Sequence, residues 1–132
     1  MSSHLRAIGA PNPDAGPIHI LHVADASFFS HFGRMFRQLA FGLLEEGFRV
    51  SLLTDFAEIA PQFEASPVEC HCVPALSGWR AWRLARELDG EFEPPPQVVH
   101  VWGAARFRRV ASWAWSRNLP LVVSALSHED LS

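Results

Sequence analysis

Short apolar runs typical of β-strands alternate with helical stretches from residue 18 onward, and this alternation constrains the fold more than any other feature. The strand-like runs are IHILHV at 18–23, FRVSLLT at 48–54, VECHCV at 68–73, QVVHVW at 97–102 and LVVSAL at 121–126. Apolar residues recur at three- and four-residue steps at about 32–46, 78–88 and 104–117. This spacing predicts three helices, the first ending at Gly47. The connection at 56–63 is short and could be helical.

Strands separated by helices of this length form βαβ units, and right-handed crossovers then favour one architecture. We expect an α/β fold with a single Rossmann-like, doubly wound parallel sheet of about five strands and helices on both faces. The expected strand order is 3-2-1-4-5. The domain covers residues 18–132, and residues 1–17, which lack the pattern of a secretory signal, form a flexible amino-terminal arm.

Composition excludes several classes of protein. Hydrophobic residues make up 48% of the 132 residues, charged residues 19%, and the net charge is −3. A negative domain is not expected to bind nucleic acid, and no apolar run approaches the ~18 residues of a membrane span. Cys70 and Cys72 share one face of a strand with His71 opposite, which favours reduced thiols in a cytoplasmic protein over a metal site.

Ligands of a doubly wound sheet bind at the carboxyl ends of the strands, where the strand order reverses. Here that point lies between the first and fourth strands. The segments expected to line the crevice are 22–25, the loop ASFFSHFG at 26–33, 100–103 and 127–130. We therefore expect a ligand site at this edge of the sheet.

The candidate residues each have a second interpretation. The loop before the first helix could bind an anion through free N–H groups, but it has one glycine and matches neither G-x-G-x-x-G nor a Walker loop, and Ser30 could simply cap the helix. His22 and His100 could touch a ligand or serve the core. His128 could be an acid or base, or an exposed histidine. The segment GWRAWRLAR at 78–86 could contact a membrane surface or be an ordinary amphipathic helix.

The segments HILHVADASFFSHFGRMFRQLAFGLLEEGFRVSLLTD, VVHVWGAARF and LPLVVSAL, in this order and spacing, resemble the amino-terminal domain of GT-B glycosyltransferases of the family-4 (group 1) type. The resemblance covers residues 18 to about 128. The glycine pair of the family falls on Ser30 and His31, with Gly33 two places later. The histidine that follows the fifth strand in the family falls on Leu126, with His128 two places later.

The resemblance implies transfer of a sugar from a nucleotide-sugar, as co-substrate, to a lipid, polysaccharide or small-molecule acceptor. It implies no further cofactor and no metal. It assigns the donor phosphates to Ser30, Gly33 and Arg34 and a catalytic contact to His128. It assigns the acceptor pocket to four residues: Asp25, His100, Trp102 and Gly103.

The family binds its donor chiefly through a carboxyl-terminal domain, so the resemblance implies that this chain is the acceptor-side half and is inactive alone. It could be a fragment, a truncated reading frame, or one subunit of a split enzyme with a separate donor-domain subunit. We expect it in the cytoplasm, with peripheral contact at the inner membrane surface as a further option. The alternative is a stand-alone Rossmann-like binding or regulatory module without catalysis. Self-association is also expected, through an apolar patch formed by Phe28, Phe29, Trp102 and the terminal segment.

Overall fold

The computed structural model describes residues 16–55, 57–72, 86, 88–92, 95–103 and 108–124. In this part of the chain five strands form one parallel sheet. The strands are β1 His19–Val23, β2 Arg49–Thr54, β3 Glu69–Cys72, β4 Val98–Trp102 and β5 Leu121–Ser124. Their order is β3-β2-β1-β4-β5, with every neighbouring pair parallel. The predicted Rossmann-like α/β class and the predicted strand order are confirmed.

Helices connect the strands. Helix α1, Ala26–Glu45, follows β1, a 3₁₀-helix, Ala57–Phe63, follows β2, and helix α2, Arg108–Ser116, lies between β4 and β5. Residues 88–91 are also helical. Most of the predicted helix at 78–88, the start of the third predicted helix at 104–107 and the end of the fifth predicted strand lie outside the described residues, as does most of the amino-terminal arm.

Each face of the sheet has its own apolar core, because successive side chains of a strand point to opposite faces. On one face, strand residues such as Leu21 and Val101 pack with Leu88, Phe92 and Trp113. On the other face, α1 covers β1 and β2, and the buried side chains there include Phe28, Phe36, Ala40, Val50 and Leu52. Each large apolar side chain buried in this way contributes about 1.5–3 kcal/mol. The prediction of helices on both faces is confirmed.

The two ends of α1 have clear chemical causes. The predicted loop at 26–33 is wrong, because the helix begins at Ala26 and Asp25 caps it by accepting a 2.9 Å hydrogen bond from the Phe28 N–H. At the other end, Gly47 has a φ of +93° and its N–H donates to the Leu44 carbonyl oxygen. The N–H of Phe48 donates to Leu43, which completes a Schellman motif. The predicted stop at Gly47 is confirmed.

Two of the residues expected to form the apolar patch are buried. Phe28 is 1% exposed and Trp102 8% exposed, because Phe28 of α1 and Trp102 of β4 pack against each other in the core. Phe29 is half-buried, and the terminal segment lies outside the described residues. The large apolar side chains that are exposed lie elsewhere among the described residues: Met35, Leu39 and Phe41 on α1, Trp115 on α2, and Val122 and Val123 on β5. Self-association itself stays a prediction.

None of the helices in the described ranges combines the length and the apolar character needed to cross a membrane.

Candidate functional site

The strand order brings the carboxyl ends of β1 and β4 side by side at the centre of the sheet. His22 of β1 is in register with His100 of β4, and Val23 is in register with Val101. The chain leaves β1 toward β2 on one side and returns to β4 on the other, so this is the switch point at which such sheets bind ligands. Two of the segments predicted to line the crevice, 22–25 and 100–103, therefore lie side by side, and a ligand site between them stays a prediction.

Four side chains near this point form a polar and aromatic group on the face that α1 packs against. This group, the histidine–tryptophan cluster, consists of His22, His100, Trp102 and Ser124. The Trp102 Nε1–H donates to His22 Nδ1 at 3.1 Å, and His100 Nε2 lies 2.7 Å from the Ser124 hydroxyl oxygen. The His100 and Trp102 rings stack with centroids 4.0 Å apart and an interplanar angle of 17°. One continuous chain of contacts thus joins β1, β4 and β5.

His22 is held in its neutral form. Its side chain is 1% exposed, and burial, with the neighbouring His100 as a second cause, lowers its pKa to about 3. Because Nδ1 accepts the hydrogen bond from Trp102, the proton of the neutral ring must be on Nε2. That Nε2 is the one buried side-chain nitrogen or oxygen without a hydrogen-bond partner among the described residues. The Phe36 ring lies edge to face with His22 at 5.2 Å.

His100 is also neutral at physiological pH but is less enclosed. It is half-buried, and this burial lowers its pKa. Two neutral imidazoles bring no positive charge to the crevice. Of the two histidines only His100 is exposed enough to meet a ligand, because His22 is almost fully buried and its Nδ1 already accepts from Trp102. A neutral imidazole can exchange hydrogen bonds with hydroxyl groups and does not attract phosphate as a cation would.

Asp25 and Gly103 complete the carboxyl edge of β1 and β4. Asp25 is 8% exposed and uses its carboxylate to cap α1. Gly103 has a φ of +85°, which favours glycine, and its N–H donates to the Ser124 carbonyl oxygen at 2.9 Å. Of the four predicted acceptor residues, His100 and Trp102 lie on β4 in direct contact, Gly103 immediately follows β4, and Asp25 lies two residues after β1.

The three predicted donor-phosphate residues lie within α1. In an α-helix that begins at Ala26, the N–H groups of Ser30, Gly33 and Arg34 are committed to carbonyl oxygens four residues earlier. Ser30 does not cap the helix, and its hydroxyl donates to the Ser27 carbonyl oxygen at 3.0 Å. The premise of free N–H donors at 30–34 is therefore wrong. Contact of these side chains with a donor phosphate stays a prediction.

Ser30 and Gly33 do share another feature, a groove of about 240 Å³ between α1 and the 3₁₀-helix. Its other lining residues are Ala26, Phe29, Arg37, Ile59, Gln62 and Phe63. A second cavity of about 270 Å³ is lined by Leu88, Asp89, Phe92, Pro95, Pro96, Trp113, Arg117 and Leu119, beside the ion pair of Asp89 with Arg117. Neither cavity could be predicted from the sequence, since each depends on how distant elements pack.

His128 lies outside the described residues, so the structure does not locate the predicted catalytic contact. Cys70 and Cys72 are free and partly buried on β3. No group of three or more His, Cys, Asp or Glu side chains that could hold a metal occurs within the described ranges. Ser124 was missed, although its place at the end of the fifth strand could have indicated it once the register with β4 was known.

Comparisons of the chain with protein-family models, with curated proteins and with solved structures gave no match. What the fold and the site define is therefore a class: a Rossmann-like α/β protein with neutral imidazoles at its switch point.

Proposed function

We propose that this chain is the acceptor-side domain of a GT-B glycosyltransferase of the family-4 type. The observation that carries the proposal is the pairing of His22 with His100 at the switch point of a 3-2-1-4-5 sheet, next to Asp25 and Gly103. The order and spacing of the segments that resemble the family support it independently. The activity would be transfer of a sugar from a nucleotide-sugar to a glycan, lipid or small-molecule acceptor.

The charges at the switch point favour the acceptor over the donor. A donor diphosphate is strongly anionic, and the Asp25 carboxylate already occupies the amino terminus of α1, where phosphates commonly bind. The hydroxyl groups of an acceptor sugar can be bound by uncharged hydrogen-bonding partners, which neutral His100, Ser124 and the backbone around Gly103 can supply. Trp102 would form the floor of the pocket beneath the His100 ring.

The donor would then be bound chiefly by a second domain or subunit, with the α1 residues in a minor role. Arg34 is exposed and could reach a phosphate through its side chain alone. The proposal places the enzyme in the cytoplasm, with a lipid acceptor bringing it to the membrane surface. A neighbouring reading frame that encodes a Rossmann-like domain with two glutamates eight residues apart would support this division of labour. An unrelated neighbour would favour a stand-alone binding module.

Carbohydrate binding by the chain itself tests the acceptor role. In an NMR titration with a panel of monosaccharides and glycerol-based head groups, we expect amide shifts at His100, Gly103 and Ser124. His100→Phe keeps the ring stacked on Trp102 but removes both ring nitrogens, and it should abolish these shifts. His31→Phe, a change of the same type at an exposed position of α1, should not. Binding that survives His100→Phe, or shifts confined to another surface, would contradict the assignment.

A further inference from the structure

The groove between α1 and the 3₁₀-helix is separate from the histidine–tryptophan cluster and has its own chemistry. Its lining includes the aromatic residues Phe29 from α1 and Phe63 from the 3₁₀-helix, together with the aliphatic Ile59. Its volume is about 240 Å³. A cavity of roughly 150 Å³ is already enough for a benzene ring. The groove therefore has room for one ring with a substituent.

Gly33 opens the groove along the helix. It lies in the interior of a 20-residue helix, where glycine costs about 0.5–1 kcal/mol relative to alanine. A Cβ atom placed on Gly33 would meet no atom within 4 Å, so the position faces open space. A larger side chain at position 33 would extend into that space. The volume of the groove therefore depends on residue 33 having no side chain.

Arg37, four residues further along the same stripe of α1, places a positive charge at the groove. Its Nη2 donates to the Gln62 side-chain oxygen at 2.6 Å, and its guanidinium carbon lies 6.0 Å from the centre of the Phe63 ring. These two contacts hold the side chain against the 3₁₀-helix. Among the described residues no carboxylate forms an ion pair with Arg37. A guanidinium group has five N–H donors, and only one of them is used by Gln62. The remaining donors can bind an anion.

We infer that this groove binds a small molecule with one flat apolar ring and one anionic group, the ring lying between Phe29 and Phe63 and the anion on Arg37. The apolar walls supply the burial, and the restrained guanidinium supplies charge complementarity. Phosphate and carboxylate share the required chemistry. The groove shares Ser30 and Gly33 with the predicted donor-phosphate site. The inference does not depend on the proposed glycosyltransferase role, since it uses no residue of the histidine–tryptophan cluster.

The test is an NMR titration of the 132-residue chain with phenyl phosphate and, in parallel, phenylacetate. We expect millimolar binding of at least one of them, with amide shifts centred on residues 29–37 and 59–63. Benzyl alcohol, which lacks the charge, and inorganic phosphate, which lacks the ring, should each bind about tenfold more weakly, a loss of about 1.4 kcal/mol. The stronger of the two aromatic probes identifies the anionic group. Equal binding of benzyl alcohol, or shifts centred elsewhere, would overturn the inference.

Matched variants locate the site. Gly33→Leu fills the groove and should abolish binding, whereas Gly42→Leu, on the same helix but outside the groove, should leave it unchanged. Arg37→Gln should lower the affinity for the aromatic anions to that of benzyl alcohol, whereas Arg108→Gln, at an exposed arginine of α2 outside the groove, should leave it unchanged. If Gly33→Leu does not fold, Gly33→Ala narrows the groove and should still weaken binding. Retention of full affinity in both the Gly33 and Arg37 variants would refute the site.

Discussion

The indole Nε1–H of Trp102 donates a hydrogen bond to Nδ1 of His22 across the neighbouring strands β4 and β1, at a distance of 3.1 Å. This bond fixes the tautomer of a histidine that is almost fully buried. It also joins Trp102 of the candidate site to His22 on the central strand β1. The protonation state of His22 and the packing of Trp102 are therefore coupled, and each can be tested by substitution.

His22 should make the fold sensitive to acid. Its pKa is about 6.5 in the unfolded chain and about 3 in the folded chain. Below pH 6.5 the unfolded chain binds a proton that the folded chain does not. The contribution of His22 to the free energy of unfolding is therefore fully present above pH 6.5 and is lost as the pH decreases toward 3. The loss is limited to about 1.4 kcal/mol per pH unit for this one group.

His22→Gln removes the titrating group and keeps an acceptor for the Trp102 indole. Urea unfolding of both proteins at pH 7, 5.5 and 4.5 should show a smaller loss of stability for the variant. Other groups, including His100 and Glu69, contribute to both curves, and the difference between the curves reports His22. Parallel losses in the two proteins would show that His22 does not titrate as its burial requires.

Loss of the Trp102 indole N–H should lower the free energy of unfolding by more than the smaller ring alone would. Trp102→Phe leaves His22 Nδ1 buried without a donor, and we expect a loss of about 1–3 kcal/mol from the unsatisfied acceptor, with a further loss from the smaller ring. Trp115→Phe is the control, because Trp115 is 80% exposed and should change stability by less than about 0.5 kcal/mol. Equal urea midpoints for the two variants would contradict this role of Trp102.

The sheet could be predicted because its signals are local. Strand-like runs, helical spacing and the Gly47 stop all lie within short segments, and the order of strands then follows from general rules of connection. Contacts between elements could not be predicted in the same way. The bond between Trp102 and His22 depends on register, since a shift of one residue would turn one of the two side chains to the opposite face.

The start of α1 shows a different limit. The apolar helical spacing predicts the helix only from Phe32 onward, yet Asp25 is a strong amino-terminal cap, and Phe28 is buried as part of the helix. The burial of Phe28, together with the Asp25 cap, therefore places the start of α1 at Ala26. Met35 and Leu39 show the reverse case, because the helical spacing counts them with the apolar face and the structure leaves them exposed.

Two glycines of the first helical unit should respond to alanine in opposite directions. Gly47 has a φ of +93° in the Schellman motif, and alanine there should cost about 1–2 kcal/mol. Gly42 lies within α1 with open space around its Cβ position, and alanine there should stabilise the protein by about 0.5–1 kcal/mol. Thermal unfolding of the two variants measures the contrast. A stabilising Gly47→Ala would mean that this helix end is not held as described.

Asp25 should both stabilise α1 and keep phosphate away from its start. Asp25→Ala removes the acceptor for the Phe28 N–H and should cost about 0.5–2 kcal/mol, whereas Asp25→Asn preserves a cap and should cost much less.

Asparagine at position 25 also removes a negative charge where the helix dipole favours anions, an effect of about 0.3–1 kcal/mol. We therefore expect Asp25→Asn to bind a nucleoside diphosphate about two- to fivefold more tightly than the parent chain. Glu64→Gln, at an exposed carboxylate away from the start of α1, should leave that affinity unchanged. Amide shifts at residues 25–28 during the titration would locate the anion. An unchanged affinity in Asp25→Asn would show that the Asp25 carboxylate does not weaken anion binding at the start of α1.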